Sequence, residues 1–183
     1  MGEIRITHDV FGIEGLCVVE PKTYEDNRGN FREIYNNYDY SKEGLTYQFV
    51  QDNEVYSKKG VLRGFHVNRN HPQAKLIRVI SGKILDVVID LRKESPTYKK
   101  CVAVELSENN NKQLYVPEGM GHGYLALEDS VLQFKVTTHY VPGDEINFSW
   151  KSSFIDVKWP EMDVPYVLNN KDLNSLDFDK LDL

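Results

Sequence analysis

Residues 60–76, GVLRGFHVNRNHPQAKL, gather three side chains suited to one kind of chemistry: Arg63, His66 and Lys75. Histidine titrates near neutrality, so it can take a proton from a weak carbon acid. A lysine ammonium can stabilise the oxyanion that such a step creates, and an arginine can hold a phosphate. A further histidine, His122, stands between Gly121 and Gly123 in PEGMGHGYLAL, residues 117–127. Residues two apart in an extended run share a face. Gly64, His66 and Asn68 are therefore expected on one side and Arg63 and Phe65 on the other, with Gly64 leaving open space for a ligand beside His66. The glycines around His122 read the same way, as bare backbone near a ligand. The plain alternatives are a strand-end histidine bonded to backbone at 66 and an exposed histidine in a glycine-rich turn at 122.

Strands must carry these residues. Residues 16–21, 46–53, 75–80, 83–92, 100–106, 112–117, 123–128 and 131–141 are rich in β-branched and aromatic types. Turn signals separate several of them: Ser81-Gly82, Glu118-Gly119 and Pro142-Gly143. Leu85, Val87, Ile89 and Leu91 alternate, the period of a half-buried strand. Many short strands predict an all-β fold, a sandwich or a jelly-roll barrel. Helix is expected only over residues 38–43 and in the tail after Asn170, where Leu173, Leu176 and Leu181 fall at roughly helical spacing. No repeat, low-complexity tract or linker divides the chain, which reads as a single domain over residues 1–183.

Composition narrows the function classes. The net charge of -6 gives no general attraction to nucleic acid or anionic lipid, so an anionic ligand must be held by locally placed cations. Cys17 and Cys101 are too few for a disulfide framework and fit a reducing compartment. The start, MGEIRITHDVFG, carries charge where a leader needs an apolar core, and no run approaches the about 18 apolar residues of a membrane span. The expectation is a cytoplasmic protein with no nucleic-acid or membrane partner.

The spacing Pro117-x-Gly119-x-x-His122 resembles the second motif of the cupin barrels, which favours the jelly roll. Many cupins bind a metal through an HxH in the first motif. Here that position reads His66-Val67-Asn68, and two imidazoles are a poor transition-metal site, so no metal is expected. A longer ordered set of motifs resembles one cupin family, the RmlC-like dTDP-4-dehydrorhamnose 3,5-epimerases: DNRGNFRE at 26–33, FVQDN at 49–53, GVLRGFH at 60–66, QAKL at 73–76, DVVIDLR at 86–92, SPT at 95–97, PEGMGHG at 117–123, Trp159-Pro160 and Asn170-Lys171-Asp172. The resemblance spans about Leu16 to Asp172. It implies an isomerase acting on a nucleoside-diphosphate 4-keto-6-deoxy sugar, without metal or organic cofactor, in surface polysaccharide or glycoconjugate synthesis.

The resemblance also assigns roles. His66 is the base that removes the proton alpha to the ketone, and Asp172 supports it. Lys75 and His122 stabilise the enolate oxygen. Arg28, Glu33, Gln51, Asn53 and Arg63 hold sugar, diphosphate and base, with Asn68, Phe134 and Tyr140 bordering the same pocket. Family members are usually homodimers in which an N-terminal strand passes into the partner; residues 16–21 are compatible with that.

The sequence departs from the family at one chemical position. The returning acid is a tyrosine in a segment resembling YKxTxxY, which here reads Phe134-Lys135-Val136-Thr137-Thr138-His139-Tyr140. Phe134 has no proton to give. Tyr140, six residues on, lies about 20 Å away if the strand is straight. Deprotonation is expected to survive while inversion narrows to one carbon, C3. Asn68 and Gly121 replace a usual Gln and Ala, and Lys151-Ser152-Ser153 stands where an Asn-Asp pair is common. Full 3,5-epimerisation with another acid, a 3,4-ketoisomerase and a non-catalytic sugar-nucleotide binding module are the competing readings.

Overall fold

The computed structural model describes residues 3–181, so the four terminal residues of the expected 1–183 domain lie outside the described residues. One antiparallel sheet runs in the order β1 (Ile4–Thr7), β2 (Cys17–Pro21), β10 (Gln113–Val116), β7 (Lys75–Ser81), β12 (Ser130–Val136) and β5 (Gln51–Ser57). The facing sheet runs β13 (Glu145–Asn147), β6 (Leu62–Asn68), β11 (Met120–Ala126), β8 (Lys83–Asp90) and β9 (Cys101–Ser107). A hairpin of β3 (Tyr24–Asp26) and β4 (Gly29–Phe31) stands outside both sheets. Two short helices flank them, α1 (Asn37–Lys42) and α2 (Asn170–Leu173). This is the expected all-β jelly-roll barrel with short flanking helices. No helix among the described residues is long and apolar enough to cross a membrane.

Alternation decides what each strand faces. On β7, Ile77 and Val79 join Leu114, Val88 and Leu132 in the apolar filling between the sheets. Their neighbour Leu76 points the other way, into a cluster with Val19, Tyr115 and Tyr40 of α1. On β5 the inward positions are Gln51, Asn53 and Val55, while Asp52, Glu54 and Tyr56 are exposed. The barrel is thus packed with aliphatic side chains at one end and lined by polar ones at the other, where a cavity remains.

β8 is not the half-buried strand its alternation suggested. Ile84 and Val88 face the barrel interior, and Val87 and Ile89 are equally buried on the outer face. The reason is the C-terminal third, which folds over that outer face. Phe148 stacks on Phe65 with ring centroids 5.5 Å apart, and Phe178 meets Phe148 edge-on at 5.1 Å. Both Phe65 and Phe148 are fully buried. Truncating either to alanine is expected to cost about 3–5 kcal/mol.

The other boundaries differ from expectation in physically traceable ways. The strand expected over 46–53 is β5, displaced towards the C-terminus, and the one expected over 131–141 stops at Val136. The tail forms no amphipathic helix. α2 is a single turn, Leu173 and Leu176 are exposed, and Phe178 in the 3-10 turn Phe178–Lys180 is the buried anchor. Local side-chain bonds favour turns here: Ser175 Oγ donates to Asp172 O at 2.7 Å, and an Asp177 carboxylate oxygen accepts from Asp179 N at 3.1 Å.

Candidate active site

The cavity at the open end of the barrel has a volume of about 470 Å3, the size of a small-ligand site. His66 enters it from β6, His122 from β11, Lys75 from β7 and Phe134 from β12. Gln51 and Asn53 of β5, Arg63 of β6 and Tyr140 complete the set of expected site residues that the fold brings together.

Arg63 and His66 line the same cavity, although simple alternation put them on opposite faces. The pairing of β6 with β11 explains this. His66 sits opposite His122 and Arg63 opposite Tyr124, so two residues of β6 face the single Gly123. This bulge shifts the parity of β6. It also reassigns the glycines. A Cβ on Gly64 would lie 2.7 Å from Gly123 Cα, and Gly64 has φ +127, a conformation that favours glycine. Gly64 and Gly123 therefore let two backbones approach; Gly64 does not line the cavity, whereas Gly123 does, as expected of bare backbone beside His122. A Cβ on Gly121 would meet Phe148 Cζ at 2.8 Å. That departure from the family's usual alanine follows from packing by Phe148, behind the sheet.

His66 is held from outside the barrel. Its Nε2 lies 2.8 Å from Asp172 Oδ1, and Asp172 is buried on α2. Asp172 also accepts from Gly64 N at 3.3 Å and from Asn147 Nδ2 at 2.7 Å. Burial raises the Asp172 pKa, but these donors, His66 first, outweigh it and hold the carboxyl below the usual carboxylate range. An ionised Asp172 accepts a hydrogen bond from Nε2–H, which leaves Nδ1 with the lone pair of a base. Asn169 Oδ1 caps α2 by accepting from Asp172 N at 2.7 Å, fixing the carboxylate in place.

Lys75 stands on the opposite sheet, on β7 next to the β12 strand of Phe134. Burial pushes its ammonium pKa down, offset in part by Glu145 and Asp86. His122 Nε2 lies 2.9 and 3.0 Å from the two oxygens of Asp86, a fully buried carboxylate on β8. Arg63 donates from Nε to Ser57 Oγ at 3.1 Å and from a terminal nitrogen to Tyr56 O at 3.3 Å. Both acceptors are neutral, and no ion pair of Arg63 with a carboxylate occurs among the described residues. Its charge is therefore available to an anion. The Tyr124 hydroxyl bonds the same Ser57 Oγ at 2.9 Å.

Tyr140 is nearer than a straight strand would allow. β12 ends at Val136 and the chain turns back, so Tyr140 N donates to Gln51 Oε1 at 3.1 Å and the ring, itself exposed, stands at the cavity mouth. Three expected site residues lie elsewhere. Arg28, in the β3–β4 hairpin, is exposed and pairs with Asp26 at 2.6 Å. Glu33 accepts from Asn36 Nδ2 at 3.2 Å, away from the cavity. Asn68 donates to Asp144 at 3.5 Å and does not line the cavity. Ser152, in the segment that replaces the usual Asn-Asp pair, is buried and its Oγ accepts from Phe178 N at 2.9 Å, a packing role.

Sequence reasoning missed four polar residues here: Asp86, Asn147, Glu145 and Gln73. A signal existed for Asp86, because a carboxylate at an inward position of the apolar run KILDVVID must find a partner. Glu145, Asn147 and Gln73 acquire their places only from pairings distant in sequence. Among the described residues, no group of three or more His, Cys, Asp or Glu is placed to hold a metal ion.

An imidazole with a buried carboxylate behind it, facing a cation and a phenylalanine across a cavity, can remove a proton next to a carbonyl. Known proteins share the whole framework. The sequence model of dTDP-4-dehydrorhamnose 3,5-epimerase matches residues 11–180. The dTDP-4-dehydrorhamnose 3,5-epimerase of Methanothermobacter thermautotrophicus is 43% identical over 164 residues, 88% of this chain and 89% of that protein. The crystal structure of RmlC from Legionella pneumophila, in complex with dTDP-4-keto-L-rhamnose, superposes with a TM-score of 0.92 at 34% identity, covering 98% of this chain and 95% of the other. ChmJ from Streptomyces bikiniensis, a 3'-monoepimerase seen in complex with dTDP-quinovose, gives a TM-score of 0.85 at 28% identity over 93% of this chain and 86% of its own. The cupin barrel, its cavity and the ordered motifs therefore lead to one assignment: the chain belongs to the dTDP-4-dehydrorhamnose 3,5-epimerase family.

Proposed function

We propose that this protein is an epimerase of a nucleoside-diphosphate 4-keto-6-deoxy sugar that inverts one carbon, C3. The observation that carries the reading is the His66–Asp172 pair at 2.8 Å, facing a cavity whose opposite wall holds Phe134. His66 Nδ1 takes the proton alpha to the ketone, and Lys75 and His122 meet the negative charge that moves onto the carbonyl oxygen. Arg63 takes the diphosphate, and Gln51, Asn53 and Tyr140 hold the remainder of the ligand near the mouth. Phe134 offers no proton, so the enolate is reprotonated by water or by a group of the substrate at the carbon where these can reach. Both a 3,5-epimerase and a 3'-monoepimerase resemble the chain over more than nine-tenths of its length, and the phenylalanine favours the narrower outcome here.

The test is turnover of dTDP-4-keto-6-deoxyglucose in D2O followed by proton NMR of the product. Deuterium and inverted configuration at C3 alone are expected; inversion with exchange at both C3 and C5 removes the single-carbon reading. Phe134→Tyr should then extend exchange to C5.

The same reading places the enzyme in a reducing, cytoplasmic setting, with both cysteines as free thiols, and treats residues 1–183 as one unit working as a homodimer. Arg28 and Glu33 lie outside their own chain's cavity, and Phe31 beside them is exposed, so a partner's hairpin is the natural route for them to reach a sugar nucleotide. Light scattering after size exclusion should give twice the chain mass; a monomer that retains full activity would contradict this.

A further inference from the structure

α2 serves both nitrogens of His66. Asp172 takes Nε2, and the preceding residue, Lys171, reaches Glu145 on the other side of the ring, Nζ to Oε1 at 3.1 Å. The second oxygen of Glu145 lies 3.7 Å from His66 Nδ1. Glu145 lines the cavity from β13, one pairing away from the strand of His66, and its side chain is 31% exposed while that of Lys171 is 59% exposed. Glu145 therefore connects the nitrogen that faces the reacting carbon with the solvent at the surface.

We infer that Glu145 carries the substrate's proton away from His66 between deprotonation and the next turnover. This rests on the epimerase reading given above and adds a step to it. Inversion needs this exit. A proton taken from one face ends on His66, and the enolate receives a different proton from the other face, so His66 must shed the first before it can act again. His66 has Asp172 on Nε2, which holds the ring but is buried and offers no path to water. At Nδ1 the imidazolium N–H faces the Glu145 carboxylate. The proton passes from Nδ1 to Oε2, leaving a neutral imidazole and a neutral carboxyl, and the carboxyl then loses it to bulk water. The distance of 3.7 Å exceeds a hydrogen bond; reaching ~2.9 Å needs a shift of about 0.8 Å, the tightening expected of an unliganded site. Glu145 touches no reacting carbon, so it is a positioning and proton-carrying residue that acts through His66.

The experiment follows label. dTDP-4-keto-6-deoxyglucose deuterated at C3 is turned over in ordinary water by the full chain, and deuterium is measured in both recovered substrate and product. In the wild type His66 exchanges with water quickly, so recovered substrate loses label alongside product formation. With Glu145→Gln the proton stays on His66 and returns to the carbon it left. Product formation should fall about 10-fold or more, the scale of one lost proton-transfer group, and the ratio of label lost from substrate to product formed should fall by a similar factor, with KM little changed. Formate should restore much of the lost rate to Glu145→Ala. The inference is overturned if Glu145→Gln slows turnover while leaving that ratio unchanged, which is the signature of a structural role, or if it leaves turnover unaltered. Should the wild type neither exchange nor invert this substrate, the epimerase reading itself falls, and the carrier role with it.

Discussion

Two imidazole–carboxylate pairs face one another across neighbouring strands, His66–Asp172 and His122–Asp86, and they are built for different work. His66 and His122 are direct partners in the β6–β11 ladder. The His122 pair is closed within one sheet: Asp86 comes from the adjacent strand, both of its oxygens lie within 3.0 Å of Nε2, and the histidine side chain is 12% exposed. The His66 pair joins residues 106 positions apart, through a single carboxylate oxygen, with the ring 24% exposed and its other nitrogen 3.7 Å from Glu145 at the cavity. A ring fixed by both oxygens of a fully buried carboxylate is a rigid donor. A ring held by one oxygen, with its other nitrogen towards Glu145 and the cavity, is placed to exchange a proton. The two pairs thus differ in how the carboxylate grips Nε2: through both oxygens of a neighbouring strand's aspartate at His122, and through one oxygen of an aspartate on α2 at His66.

Substitutions in the two pairs should have unequal consequences. The largest effect after loss of His66 itself is expected for Lys75→Met, which removes the cation beside the developing oxyanion: a fall in kcat of about 10²–10³-fold, read in steady-state kinetics. Burial depresses the Lys75 pKa, so its charge, and kcat with it, should disappear as pH rises through that lowered value. In Lys75→Arg the charge persists, and the alkaline fall should move to higher pH. Asp172→Asn should cost about 10²-fold in kcat because an amide no longer selects the tautomer with Nδ1 free. Asp86→Asn should cost about 10-fold, since His122 keeps a hydrogen-bonding neighbour. If Asp86→Asn proves the more damaging of the two, the division of labour between the pairs is wrong.

The smallest expected effect concerns stability. Asp172 and Asp144 both have folded pKa values below the ordinary range. Burial of Asp144 acts against this and is outweighed by donors from Asn70 and His71, giving a value of about 2. Groups with depressed folded values stabilise the fold above their unfolded pKa, and that stability is lost as pH falls through the folded value. Thermal stability should accordingly decline between about pH 4 and pH 2. The decline should be shallower in Asp144→Asn, measured against that variant's own neutral-pH value.

Much of the barrel was legible because alternation is a physical signal. Lys75, Ile77 and Val79 face inward on β7 as the period of two requires, and the turns at Ser81-Gly82 and Glu118-Gly119 separate the strands expected around them. Two failures share a cause: the sequence does not announce where a regular strand stops being regular. The bulge opposite Gly123 put Arg63 on the side of His66, and the end of β12 at Val136 returned Tyr140 to the cavity mouth. Glu145 and Asn147 were invisible for another reason. β13 is only three residues long, and its meaning comes from lying beside β6. Phe148 and Phe178 carry no signal in the sequence, and their role comes from the C-terminal third covering the outer face of β8.

His66, rather than His122, is proposed to break the carbon–hydrogen bond. The most direct measurement is deuterium wash-in from D2O into dTDP-4-keto-6-deoxyglucose, followed by NMR with wild type, His66→Asn and His122→Asn, each shown by nucleotide binding to be folded. Exchange should be abolished in His66→Asn and slowed but present in His122→Asn. Persistent exchange in His66→Asn, or its complete loss in His122→Asn alone, would contradict this assignment of the base.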